Sequence, residues 1–355
     1  MKHNWEYKRL GDVATYVNGY AFKPTDWIES GYPIIRIQNL NNSDAIYNYS
    51  NGNIPSKYFV SDGDLLISWS ASLGAYIWHG EKAVLNQHIF KVIFDKTDII
   101  KNYLKYFVDF SLPLMASKTH GATMRHITKP SFDALPIPFP KLEVQEQIVA
   151  ELDKINETIE DCRELLHNLD ALAQSLFYDF FGDPVINPKG WTLKPWSDCI
   201  NIINGKNQKA VENPNGQFPI YGSGGIMSYA DAYLCPEYCT IIGRKGNISK
   251  PIFVKTKFWN VDTAFGLCPD KSILAPLYLY FFCKNYDFEK HNKAVTIPSL
   301  VKGDLLKIQI PVPPLELQEK FAERIEQIEA QKKTVENTIA ELQTLLDSRM
   351  DYWFN

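Results

Sequence analysis

Ile137-Pro138-Phe139-Pro140-Lys141-Leu142-Glu143-Val144-Gln145-Glu146 returns 173 residues later as Ile310-Pro311-Val312-Pro313-Pro314-Leu315-Glu316-Leu317-Gln318-Glu319. From Ile137 to Ile155, eight of nineteen positions are identical at that offset. In each copy the prolines hold the chain extended and then release it into a helix. After the first copy, Ile148, Leu152, Ile155, Ile159, Cys162, Leu166, Leu169, Ala173, Leu176 and Phe180 fall at alternating steps of four and three. After the second, Phe321, Ile325, Ile328, Lys332, Val335, Ile339, Leu342, Leu346, Arg349 and Trp353 keep the same steps, with Lys332 and Arg349 as charged intruders. Seams of this length, free of Pro and Gly, predict two coiled-coil helices.

The repeat extends outward from these helices. Trp5, Lys8, Asp12, Asn18 and Gly19 find Trp191, Lys194, Asp198, Asn204 and Gly205 at an offset of 186, and Tyr32-Pro33-Ile34 finds Phe218-Pro219-Ile220. The second copy is therefore about 13 residues shorter, and the chain is a duplication. Between the matched ends lie short β-rich runs bounded by Gly, Asn and Asp: Tyr32–Ile37, Asp64–Trp69 and Ile89–Phe94, then Tyr238–Ile242 and Pro251–Val254. Each block also has one helical stretch, Ile100–Phe110 and Pro276–Lys284. The expected fold is α+β: a globular domain at 1–141, a spacer helix at 142–182, a second globular domain at 183–313 and a second spacer helix at 314–355. The first helix leaves its globule and the second returns, so the pair is expected to be antiparallel and the halves to be related by a pseudo-two-fold axis. From Ile148 to Phe180 the seam covers 32 residues, about 48 Å at roughly 1.5 Å per residue.

Composition narrows the class. Of 355 residues, 45% are apolar and 22% charged, as in a soluble chain with a full core. No apolar run approaches the roughly 18–20 residues a membrane helix requires, and Met1-Lys2-His3-Asn4-Trp5-Glu6 lacks the apolar stretch of a secretory signal. The six cysteines make no dense disulfide framework, which favours a reducing cytoplasm and buried thiols. The net charge of −4 hides segregation: +2 over residues 1–140, −7 over 141–181, +5 over 182–313 and −4 over 314–355. Two basic globules thus alternate with two acidic helices.

Motifs for chemistry are missing. Gly243-Arg244-Lys245-Gly246 is too short for a phosphate loop and opens no predicted helix. Asp183-Pro184-Val185, Asn187-Pro188-Lys189 and Asn213-Pro214-Asn215 lack the second proline of an amino-methyltransferase tetrad, and Pro269-Asp270 has no carboxylate-x-Lys partner for a nuclease core. Cys235 and Cys239 with Cys268 find no second pair to complete a zinc site, and the seven histidines show no metal spacing. The sequence reads as a binding protein with no active site and no metal. Two rivals stand beside that reading. One is an acidic coiled-coil scaffold without a DNA role, against which the basic globules argue. The other is a nuclease or methyltransferase fused to recognition domains, against which the absent motifs argue.

With Gly121-Ala122-Thr123-Met124-Arg125-His126-Ile127-Thr128, Leu135-Pro136-Ile137-Pro138-Phe139-Pro140 and the twice-used Leu-Glu-x-Gln-Glu helix start, the whole chain resembles the specificity subunits of type I restriction–modification systems. The resemblance implies two target-recognition domains that each read half of a split site in double-stranded DNA, and conserved helices that dock two methyltransferase subunits. It implies no cofactor on this chain: S-adenosylmethionine belongs to the methyltransferase, and ATP and Mg to a restriction subunit where one joins. The expected docking residues are Glu143, Gln145 and Glu146 with Glu316, Gln318 and Glu319. DNA reading needs basic and hydrogen-bonding side chains on loops. In the first block these are Arg36, Gln38 and Asn39, then Ser68, Trp69, Ser70 and Ser72, then the loop from Lys118 to His126 with His120, Thr123 and Arg125. In the second they are Lys206, then Tyr221 and Ser223, then Arg244, Lys245 and Asn247, then Lys290 to Thr296 with Lys293. Arg244-Lys245 between two glycines is the best placed, since glycine lets backbone approach closely and Arg suits guanine edges.

Overall fold

The fold is that of a computed structural model, which describes residues 4–42, 44–70, 72–118, 127–294 and 296–355. The chain forms two compact units, Met1–Asp161 with Thr338–Asn355, and Cys162–Asn337. The seams become two helices, Leu142–Phe181 and Leu315–Phe354, each contributing one half to each unit.

In the first unit, a four-stranded antiparallel sheet has the order Thr15–Asn18, Ile89–Ile93, Leu65–Ser68, Gly74–Ile77. A second sheet runs Asn48–Ser50, Tyr32–Ile35, Ala83–Leu85, Phe59–Val60, its middle pair parallel. The Ile-Pro-Phe-Pro exit lies as Pro136–Phe139 against Glu6–Arg9 in a separate two-stranded sheet, whose open edges tolerate proline's missing N–H. One core joins this unit: Leu65, Ile67, Phe90, Tyr103, Leu104 and Phe107 pack with Ile148, Leu152, Ile155 and Ile159 of the first long helix and with Leu346 and Phe354 of the second. The start of one helix thus meets the end of the other, an antiparallel pairing.

The second unit repeats the plan. Its main sheet is Ile200–Asn204, Ala264–Pro269, Cys239–Gly243, Ile252–Val254, antiparallel throughout. A three-stranded sheet is ordered Gly225–Ala230, Phe218–Gly222, Trp259–Asn260, and Thr192–Pro195 pairs with Gln309–Val312. The core gathers Leu169, Ala173, Phe177 and Phe181 against Phe321, Ile325 and Ile328. Here the end of the first long helix meets the start of the second.

Both charged intruders of the seam find partners on the facing helix. Arg349 forks onto Glu151, which also accepts from Trp353 Nε1 at 3.0 Å. The bond from Arg349 holds the Glu151 carboxyl below its ordinary pKa, against a smaller opposing effect of burial. Lys332 donates to Asp170 at 2.8 Å and to Glu329 at 3.1 Å.

Three expectations change. The strand expected over Tyr32–Ile37 stops at Ile35, because Asn39 accepts from the Arg36 N–H at 3.1 Å and starts the helix Ile37–Asn41. The helix expected over Ile100–Phe110 runs as Lys101–Lys118, through Pro113. Of the cysteines expected as thiols, Cys239 and Cys268 form a disulfide with Cα atoms 4.6 Å apart. They face each other one step beyond the Thr240–Leu267 pair of adjacent antiparallel strands, a proximity that their separation of 29 residues conceals.

Candidate nucleic-acid interface

In the second unit five loop segments meet at one end of the sheets. Lys206 N–H donates to Asn260 O at 3.0 Å, Val261 N–H to Tyr221 O at 2.9 Å, Arg244 N–H to Thr263 O at 2.8 Å and Gly246 N–H to Pro298 O at 2.9 Å. Two close approaches make glycine obligatory here. A Cβ on Gly205 would sit 1.8 Å from Val261 O, and one on Gly243 would sit 2.1 Å from Asn247 O. Behind the loops, buried Asn260 donates to Ala264 O at 3.1 Å and accepts from the Cys235 thiol, whose pKa burial pushes up to about 12.

The structure therefore brings Lys206, Tyr221, Ser223, Arg244, Lys245 and Asn247 together. Lys206 and Lys245 are exposed, as is Lys209, which the sequence reading passed over. Arg244 leans over the Phe265 ring, 5.9 Å from its centre, and donates weakly to Asp262 O at 3.4 Å. Tyr221 is half-buried edge-on to Phe258, and burial raises its phenol pKa. Thr296 is exposed. The Lys293 ammonium is paired with Asp304, while its N–H donates to Ser299 O at 3.3 Å.

The first unit builds the same end with other side chains. Gly19 N–H donates to Ile89 O at 2.9 Å, as Gly205 N–H does to Ala264 O at 3.2 Å. Trp69 N–H donates to His88 O at 3.3 Å, in the position of Arg244 and Thr263, and its ring stacks 5.7 Å from Phe90 as Arg244 does over Phe265. Trp69 Nε1 then reaches Asn18 Oδ1 at 3.2 Å. Arg36 is half-buried, donating to Asn48 Oδ1 at 3.0 Å beside the Trp27 ring, while Gln38 and Ser72 are exposed.

Several expected contacts are corrected. Ser68 is fully buried and its hydroxyl donates to Ser70 O at 3.2 Å; Ser70 is buried too, and Asn39 turns inward to donate to Ala45 O at 3.2 Å. None of these three presents its side chain at the surface. His120, Thr123, Arg125 and His126 lie outside the described residues.

The helix starts divide in the same way. Glu143, Glu146, Glu316 and Glu319 are exposed. Gln145 and Gln318 are fully buried, so their expected docking role is corrected to an internal one. Gln145 accepts from Ile100 N–H at 3.0 Å and donates to Pro140 O at 2.9 Å; Gln318 accepts from Ala275 N–H at 2.8 Å and donates to Pro313 O at 2.8 Å. Tyr103 and Tyr278 repeat the theme, donating to Pro138 O at 2.8 Å and to Pro311 O at 2.6 Å.

Among the described residues no cluster of three or more His, Cys, Asp or Glu is arranged to hold a metal, and no helix is long and apolar enough to cross a membrane. The profile of the type I restriction modification DNA specificity domain matches residues 2–169 and again 188–344. The chain belongs to that family. Type I specificity subunits are its relatives across nearly its full length. It is 22% identical to the type I restriction enzyme EcoBI specificity subunit of Escherichia coli, covering 97% of this chain and 84% of that one. It is 24% identical to the MjaVIII specificity subunit of Methanocaldococcus jannaschii, covering 93% and 87%. Solved structures agree on the fold. The type I S subunit from M. genitalium superposes with a TM-score of 0.60 at 15% identity, over 99% of this chain and 96% of that one. A chain from a study of type I complex assembly and conformational transition gives 0.62 at 20%, over 98% and 96%. A DNA-specificity role follows from this membership, and the scaffold reading without DNA finds no support.

Proposed function

We propose that this specificity-family chain reads a split site in double-stranded DNA, one half with each unit, and catalyses nothing itself. The observation that carries the reading is the twice-built loop end. The same backbone bonds, Trp69 to His88 and Arg244 to Thr263, carry different side chains at equivalent places, as two readers of different half-sites require. Two methyltransferase subunits dock on the helix starts through the exposed carboxylates Glu143, Glu146, Glu316 and Glu319. They bring S-adenosylmethionine, and a restriction subunit, where it joins, brings ATP and Mg. The complex works in the cytoplasm, where the DNA is.

Mapping methylated adenines in a genome where the chain is expressed with its methyltransferase tests the proposal. Wild type should mark a bipartite motif. Arg244→Ala should degrade one half of that motif and leave the other half and the gap unchanged. Degradation of both halves together, or methylation by the purified chain alone, would overturn it.

A further inference from the structure

The second unit carries an apolar feature beside its basic loops. Strands Phe218–Gly222 and Gly225–Ala230 form a hairpin whose tip is Ser223-Gly224. Ile226 pairs with Tyr221 and Ser228 with Ile220, so Met227 is an extra residue in a bulge. A bulge re-aims side chains. Here Ile226 and Met227 in succession stay open to solvent, 55% and 62% exposed. Met227 lies over Gly222, its Sδ 2.8 Å from where a Cβ on that glycine would stand, so the hairpin stays thin.

The surroundings indicate the occupant. Ser223 Oγ lies 3.9 Å from where a Cβ on Gly246 would stand, which puts the tip beside the Arg244–Asn247 turn. The Lys206–Lys209 loop joins the same end through Asn260, and Ile297, 59% exposed, precedes the Pro298 that accepts from Gly246. Cations around exposed aliphatic groups suit a polyanion with apolar faces inside its grooves. A two-stranded ribbon fits the DNA major groove, where the thymine methyl is the apolar mark, and Ile and Met also serve as wedges against base steps. The first unit has the helix Ile37–Asn41 after the matching strand, so the device belongs to one half-site.

We propose that Ile226 and Met227 are specificity-determining residues: the hairpin enters a DNA groove as a ribbon and lays these two side chains on apolar base surface. The proposal rests on the DNA reading above and adds the chemistry by which the second unit discriminates.

The test uses the full chain assembled with its methyltransferase. Ile226→Ser, Met227→Ser and the conservative Met227→Leu are compared with Lys245→Ala on duplexes that hold the mapped motif, across a salt series. Each serine variant should weaken specific binding about ten- to hundredfold, the scale of one buried apolar side chain. The slope of log K against log salt should stay at the wild-type value, because every phosphate stays neutralised as before. Lys245→Ala should lower the slope instead, and Met227→Leu should bind as wild type. The methylome of the serine variants should relax at positions in one half-site. Unchanged affinity, an altered salt slope, or loss of methyltransferase from the serine variants on native mass spectrometry would each overturn the proposal. A wild-type complex that neither binds nor methylates duplex DNA would overturn the DNA reading itself, a result separable from any difference among variants.

Discussion

Gln145 and Gln318 show how one residue can be read correctly for presence and wrongly for purpose. Both stand in the repeated Leu-Glu-x-Gln-Glu start, and a polar residue recurring beside carboxylates looks like part of a docking surface. The surrounding fold decides otherwise, because each amide joins the start of a short helix to the proline segment before a long one. Replacing Gln145 with Ala would leave the Ile100 N–H and the Pro140 carbonyl buried without their partner. The expected loss is about 1–3 kcal/mol, read by chemical denaturation. Gln318→Ala should cost at least as much, since Ala275 and Pro313 lose the matching bonds and Ile273 O loses a third. Exposed Glu146→Ala, one residue away, should change stability by less than about 0.5 kcal/mol. A Gln145→Ala variant as stable as wild type would show that water replaces the amide.

Arg349 and Glu151 belong to the scale of the helix pair. They break the apolar seam in sequence, yet the guanidinium fork, the carboxylate and Trp353 make an interhelical unit. The Glu151 pKa is lowered, first by the bond from Arg349, so the unfolded chain holds its proton to higher pH than the folded one. The stabilisation is fully present above the ordinary carboxylate range and is lost as pH falls through the depressed folded value. Glu151→Gln should therefore destabilise the helix pair at pH 7 by about 1–2 kcal/mol, discounted for partial exposure. The difference from wild type should narrow as pH falls below the ordinary carboxylate range. Denaturation midpoints measured across pH check both. Reversing Glu143, Glu146, Glu316 and Glu319 to Lys should leave those midpoints close to wild type while weakening methyltransferase assembly, which native mass spectrometry reads.

The long elements were legible because each seam repeats one local rule for ten positions and an offset of 173 ties the helices together. The interface was legible only in part. Trp69 and Arg244 occupy equivalent places at an offset of 175, between the 186 that aligns the fronts and the 173 that aligns the backs, and little residue identity marks it. Burial was the other hidden variable. Ser68 has the composition of a loop residue and the position of an interior strand end, and only the pairing of Leu65–Ser68 with strands on both sides separates the two.

At the scale of the molecule, the charge layout sets how binding responds to salt. Arg244 and Lys245 stand at one loop end of a unit, whereas the long helices carry the acidic surplus. Charge removed from the exposed loop lysines should act on phosphate binding. Lys206→Ala with Lys245→Ala should lower the magnitude of the log–log salt slope by about 2, at roughly 0.9 for each phosphate no longer neutralised. Charge-neutral substitutions on the helices should leave that slope as it is. Titration of duplex DNA at several salt concentrations measures both.

The first unit includes Thr338–Asn355, and Leu346 and Phe354 fill the core that Tyr103, Ile148 and Leu152 begin. All of Cys162–Asn337 is synthesised in between, so at roughly 5–20 residues per second the nascent domain waits about 9–35 s for its last wall. During that interval the apolar face of Leu142–Asp161 has its own globule on one side and lacks Leu346 and Phe354 on the other. On the ribosome the order of completion is inverted: the unit that begins first closes last, while the second unit has all its residues once Asn337 is made. Nascent chains arrested before Thr338 should therefore protect the second unit from protease and leave the first open to chaperones.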